Sequence, residues 1–208
     1  IKANSGRYTI EDAGINSKYS DYGSSFFQNK LVFTTARDTG SFGQKKHKWT
    51  NQYFTNLYTA DLDENKIPIS ASITKFSKSI NSKFHESTPV FTKDGKTMYF
   101  TRNNFINGKK GRDSKKVSHL KIYKAQFIDN QWTNISELPF NSNDYSVEHP
   151  ALSPDEKQLY FASDMPGSIG SFDLFVVDIL TDGSFGTPKN LGAKINTEHR
   201  EQFPFVSS

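Results

Sequence analysis

The sequence predicts an all-β repeat fold built from four-stranded antiparallel units, and three observations carry that expectation. His149 to Asp164, HPALSPDEKQLYFASD, has the form of a strand, a tight turn and a returning strand. The same frame stands upstream, where Pro89/Pro150, Asp94/Asp155, Lys96/Lys157, Tyr99/Tyr160 and Phe100/Phe161 match. A hydrophobic residue followed by Asn and then Ser or Thr recurs with Asn16, Asn81, Asn141 and Asn196, at spacings of 65, 60 and 55 residues.

Composition bounds what such a repeat can build. At 208 residues the chain is long enough to bury a core of one or two domains. Aliphatic residues are few, but 18 Phe and 9 Tyr suit pleated surfaces. The absence of Cys excludes a disulfide framework and thiolate metal sites. No apolar run approaches the roughly 18 residues of a membrane helix, so no transmembrane segment is expected. A net charge of +4 is too small and dispersed to argue for nucleic acid.

Taken in order, the units span about 16–79, 81–139 and 141–194. Residues 1–14 are expected to supply the last strand of a preceding unit, and 198–208 the first strand of a following one. In each unit the Asn marker is the turn from the unit before. Two strands around the short turn follow, as at Thr92-Lys93-Asp94-Gly95-Lys96 and Ser153-Pro154-Asp155-Glu156-Lys157. A variable loop then leads to a third strand at Leu57–Ala60, Leu120–Ala125 or Asp173–Val177, and a fourth near Ile73, Trp132 or Pro188. Phe26, Val90, Leu152 and Phe205 are expected at equivalent first-strand positions. Phe33, Phe100 and Phe161 are expected on second strands, packed between neighbouring sheets.

Four antiparallel strands repeating every few dozen residues describe a β-propeller blade, and propellers close with about 4 to 8 blades. Three complete units therefore predict an incomplete part of a six- to eight-bladed ring. The frame Pro150, Ser153-Pro154-Asp155, Phe161, Ser163-Asp164 and Asp173-Leu174-Phe175 resembles the TolB-type propeller repeat, the Pro-Asp variant of the WD repeat. INSKYSDYGSSFF, HESTPVFTKDGKTMYFTRNN and NTEHREQFPF resemble more narrowly the propellers of Bacteroidetes envelope proteins joined to OmpA-type domains, some of them in type IX secretion and gliding machinery. That resemblance implies a periplasmic, outer-membrane-associated protein with envelope protein partners. Peptidoglycan would be bound only through domains absent from these residues.

Two residue sets are candidates for a site. The long loops of the first two units carry Phe42, His47, Trp49, Tyr53 and Phe54, and Lys109, Lys110, Arg112, Lys115 and Lys116. Aromatic and cationic side chains on long loops suit a protein interface, and both loops should leave the same face of consecutive units. The alternative is a channel mouth ringed by Asp21, Glu86, Glu148 and Glu201, one acid before each first strand. There the carboxylates hold either a cation or basic peptide, or simply the backbone of their own turns. No metal site or cofactor is expected.

There is no G-x-S-x-G elbow, no H-E-x-x-H and no Gly-rich phosphate loop, so an enzyme is not expected. The leading expectation is a non-catalytic protein-binding scaffold of the bacterial cell envelope, in secretion or gliding machinery or linking outer membrane to peptidoglycan. The alternative is a substrate-binding or gating propeller of a peptidase or glycan-active enzyme.

Overall fold

A computed structural model describes residues 6, 9–37, 46–48 and 50–207. The described residues form three four-stranded antiparallel sheets, consistent with propeller blades, with no α-helix and no closed sheet. The first contains β1 (Asp21–Phe27), β2 (Lys30–Thr35), β3 (Asn56–Asp61) and β4 (Thr74–Lys75). The second contains β5 (Glu86–Phe91), β6 (Thr97–Asn103), β9 (Leu120–Ile128) and β10 (Gln131–Glu137), with a small hairpin, β7 (Phe105–Ile106) and β8 (Lys109–Lys110), between its middle strands. The third contains β11 (Val147–Leu152), β12 (Gln158–Ser163), β13 (Asp173–Asp178) and β14 (Lys189–Asn190). Each sheet is a meander in which successive strands pair.

The tight turns form as their chemistry requires. Asp94 and Asp155 accept from the backbone two residues on, at Lys96 (2.9 Å) and Lys157 (3.2 Å), and Gly95 and Glu156 adopt φ of 67° and 60°. Every first strand carries a bulge at one place: residues 23–24, 88–89 and 149–150 stand opposite the single residues Phe33, Phe100 and Phe161. Gly23, Thr88 and His149 there have φ of 55°, 46° and 57°. The next residue is Ser24, Pro89 or Pro150, and a bulge tolerates the missing proline N–H. The bulge frees a peptide N–H from its own ladder. Thr88 N–H donates to Thr34 Oγ1 of the first sheet (3.0 Å), and His149 N–H to Thr101 Oγ1 of the second (2.9 Å).

The sheets stack through aromatic rows. Phe27, Val32 and Leu57 of the first sheet meet Met98, Phe100, Tyr123 and Trp132 of the second. Tyr99 and Ile122 of the second meet Leu159, Phe161, Phe175 and Val177 of the third. Phe100 and Phe161 are fully buried in these two layers. Phe33 holds the same position on the outer face of the first sheet, with Ile15 against it.

Two expectations need correction. Phe91, not Val90, matches Phe26 and Leu152, because Phe91 pairs with Met98 as Phe26 pairs with Leu31 and Leu152 with Leu159. Residues 201–207 form no strand, and Phe205 is 88% exposed, since regular pairing stops at the bridge from Arg200 to Phe172 and the bond from Glu201 N–H to Phe172 C=O. Of the strand expected in 1–14, residues 1–5, 7 and 8 lie outside the described residues.

The Asn marker does more than turn the chain. Asn81 Oδ1 accepts from Leu57 N–H at 2.8 Å while its Nδ2 donates to Leu57 C=O at 2.9 Å. Asn141 grips Ile122 at 3.1 and 2.7 Å, and Asn196 grips Leu174 at 2.8 and 3.0 Å. Each amide thus imitates a strand: it satisfies an N–H that the fourth strand leaves unpaired and adds a second donor to a carbonyl that also accepts from Phe76, Leu138 or Leu191 N–H. Asn141→Ala should lower stability by about 1–3 kcal/mol, because it strands the N–H of the buried Ile122, whose carbonyl keeps the Leu138 N–H at 3.3 Å. The exposed Asn16 makes no such grip, and Asn16→Ala should cost less than about 0.5 kcal/mol in the same urea titration.

Candidate functional site

The carboxylate row does not gather as one set. Asp21, Glu86 and Glu201 accept from the backbone of their own turns, at Ser17 N (2.6 Å), Ser82 N (3.0 Å) and Thr197 N (2.9 Å). The first two also meet an arginine from the second strand or just beyond it, Asp21 with Arg37 at 3.3 Å and Glu86 with Arg102 at 3.1 Å. Burial pushes the Glu86 carboxyl up, against the pull of Arg102. Each arginine lies over two rings, Arg37 over Phe33 and Tyr58, Arg102 over Phe100 and Tyr123.

Glu148 departs from this pattern. By register Val147 occupies the place of Asp21 and Glu86, and Glu148 stands with Tyr22 and Ser87 on the opposite face. Glu148 stands one residue before the bulge residue His149, whereas Glu86 stands two before Thr88, so the acid falls one position later on its strand. Glu148 is 2% exposed and accepts from Arg200 Nη2 (3.3 Å) and Gln202 Nε2. His149 beside it stacks on Phe203 at 3.8 Å, and burial, then the Arg200 charge, holds its imidazole down to about 3.

The loop residues do meet. Phe42 and Trp49 lie outside the described residues. His47 and Phe54 join Phe84 and His85, which precede Glu86, and Phe105 of β7. Ring centroids lie 5.5 Å apart for His47–Phe54, 4.7 Å for Phe54–His85, 5.0 Å for His47–His85, 5.9 Å for Phe54–Phe84 and 5.0 Å for Phe84–Phe105. The result is a continuous aromatic ridge across the first two units. Tyr53 meets Tyr19 at 6.0 Å alongside it.

Lysines cap these rings. Lys110 lies 4.6 Å from the Phe84 centroid, Lys83 5.5 Å from Phe105, Lys46 5.5 Å from Tyr53 and Lys18 5.4 Å from Tyr19. Among the described residues none of these four lysines is ion-paired. Of the predicted basic set, only Lys110 caps a described ring. Lys109 is exposed on β8, Arg112 is exposed nearby, and Lys115 and Lys116 are exposed in a turn closed by Asp113. Phe84, His85, Lys83 and Tyr19 were not among the predicted site residues. The available signal is an aromatic two positions before the first strand, as at Tyr19, Phe84 and Tyr145.

The structure also assembles a constellation that sequence spacing does not reveal. Asp113 Oδ2 lies 3.1 Å from His119 Nε2, and His119 Nδ1 lies 3.3 Å from Ser146 Oγ. Ser146 is 8% exposed and its Oγ already accepts Leu120 N–H at 3.2 Å.

No protein-family description matches the chain, and no curated protein matches it by sequence. Among solved structures it is similar to a puromycin-hydrolyzing peptidase of Mycobacterium tuberculosis (TM-score 0.48, 14% identity, covering 84% of this chain and 22% of that one). It is similar to TolB of Acinetobacter baumannii (0.45, 20%, covering 87% and 34%) and to an alpha-L-arabinofuranosidase of Lactobacillus brevis (0.44, 13%, covering 79% and 53%). The chain thus spans from about a fifth to about half of the length of these proteins.

His85 gives the ridge a measurable signature. Thr55 N–H donates to its Nδ1 at 3.1 Å, so that nitrogen is unprotonated. Burial, then the His47 and Lys110 charges, holds the imidazole down to about 4 from an ordinary value of 6.5. The unfolded chain therefore binds this proton at higher pH than the folded chain does. The contribution is complete above pH 6.5 and is lost as pH falls to about 4. An NMR titration should show the His85 ring changing near pH 4, and His85→Gln should flatten the loss of stability across that window.

Proposed function

We propose that the chain is a non-catalytic scaffold of propeller type that holds a protein partner on its aromatic ridge. The supporting observation is the ridge itself: rings from two successive units joined edge to face, with lysine ammonium groups on them that no carboxylate among the described residues pairs. Aromatic anchors bury much surface at little cost in rotamer entropy, and fixed cations favour an acidic partner surface. In this reading the three sheets are successive blades of a larger ring, related by the repeated bulge and its hydroxyl bond. The Bacteroidetes-type frame supports a place in the periplasm beside the outer membrane, in an envelope complex such as secretion or gliding machinery.

Capture of partners from an envelope fraction tests this. Phe54→Ala with Phe84→Ala should speed dissociation at least about tenfold, a loss expected of hot-spot aromatics. Lys83→Glu with Lys110→Glu should chiefly slow association and flatten its salt dependence. If only Glu148→Gln with Glu201→Gln loses the partner, the inner row and not the ridge is the site.

A second reading rests on Asp113, His119 and Ser146, whose contacts run in the order orienter, base and nucleophile. The burial of Ser146 and its bond from Leu120 N–H support a structural tie between the loop and β11 instead. A fluorophosphonate probe should therefore leave Ser146 unlabelled, and stoichiometric labelling would favour a hydrolase.

A further inference from the structure

A groove of about 600 Å³ lies between the first two sheets, at the end opposite the ridge. Its origin is a mismatch of strand lengths. β4 has two residues, whereas β9 and β10 have nine and seven, so their hairpin overhangs the first sheet. The chain leaving β4 is tied beneath that hairpin by Ser79 Oγ donating to Trp132 C=O at 2.7 Å. The floor is aromatic: Trp132 lies 5.4 Å from Phe27, 6.0 Å from Phe76 and 5.0 Å from Phe127.

Two features show that stacking alone does not account for this groove. The lining contains Lys30, Lys75 and Lys78 and no carboxylate. Lys30 is paired with Asp61 outside it, while Lys75 and Lys78 are exposed and unpaired among the described residues. Thr59 also lines it, is 7% exposed, and its Oγ1 has no hydrogen-bond partner. A buried hydroxyl without a partner costs about 1–3 kcal/mol, so it marks a place where a polar atom of a ligand would be favoured.

We propose that this groove holds an extended acidic peptide segment with one apolar anchor. β4 is the outermost strand of its sheet, so its outer backbone groups are open to a further strand. Such a strand would place its anchor against Phe76 and Trp132, carboxylates toward Lys75 and Lys78, and one Glu side chain across β4 to the Thr59 hydroxyl on the neighbouring β3. An open strand edge recognises a peptide backbone, which favours this occupant over an anionic glycan.

The test uses emission from Trp132 in the 208-residue chain carrying Trp49→Phe, since the sequence has only 2 Trp. The capped peptide Asp-Glu-Phe-Asp-Glu should quench it saturably. The peptide with Ala in place of Phe should bind at least about tenfold more weakly, as should the original peptide to Lys75→Glu with Lys78→Glu. Thr59→Val should weaken binding about threefold without lowering the melting temperature, because it removes an unpartnered hydroxyl and keeps the shape. Quenching by polygalacturonate but not by the peptide would make this a glycan groove. That result, no quenching, or equal binding by the charge-reversed variant would each overturn the proposal. Neither depends on the fate of the ridge, since no ridge residue lines the groove.

Discussion

Three asparagine side chains hold the repeats in register. Because the fourth strand of a sheet is short or displaced, the third strand would present an unpaired N–H at Leu57, Ile122 or Leu174. The amide of the next unit's Asn accepts from that N–H and also donates to the same residue's carbonyl, which it shares with the N–H of Phe76, Leu138 or Leu191. A single side chain thereby completes one sheet and fixes where the next begins. Asp could accept but not donate in this position, and Ser is too short to do both, so the position admits few substitutes.

The aromatic layers depend on that registration. Phe100 and Phe161 reach the same depth between sheets because their strands start from equivalent grips and carry the same bulge. The ridge follows from the same geometry. Phe84 and His85 sit in the turn between the second Asn marker and β5, and that turn delivers them beside the loop of the preceding unit.

Much of the fold was legible in the chain because its repeat is written in residues with few structural alternatives. Pro, Asp-Gly and Asn each have a specific backbone role, and Phe100 and Phe161 each stand six residues after the Asp of their turn. What escaped was anything set by a shift of one residue. Phe91 and Val90 are adjacent and both apolar, so only hydrogen-bond register distinguishes them. Glu148 looks like its predecessors until its distance from the bulge is counted, which puts it on the other face. The contact of Asp113 and His119 with Ser146 joins two units and has no local signature. The loop sets were legible in kind, but the side chains that unite them come from a turn with no unusual composition.

The bulge in each first strand has a mechanical corollary. Its displaced N–H ties β5 to Thr34 and β11 to Thr101, so force pulling one sheet outward is shared with its neighbour through a rung of fixed length. The third sheet has Ala162 where Thr34 and Thr101 stand, and no hydroxyl is available there. Residues 200–203 lie against β11 instead, held by Arg200 and Gln202 on Glu148 and by the Phe203 ring on His149, so the load there passes through side chains and not through a backbone rung.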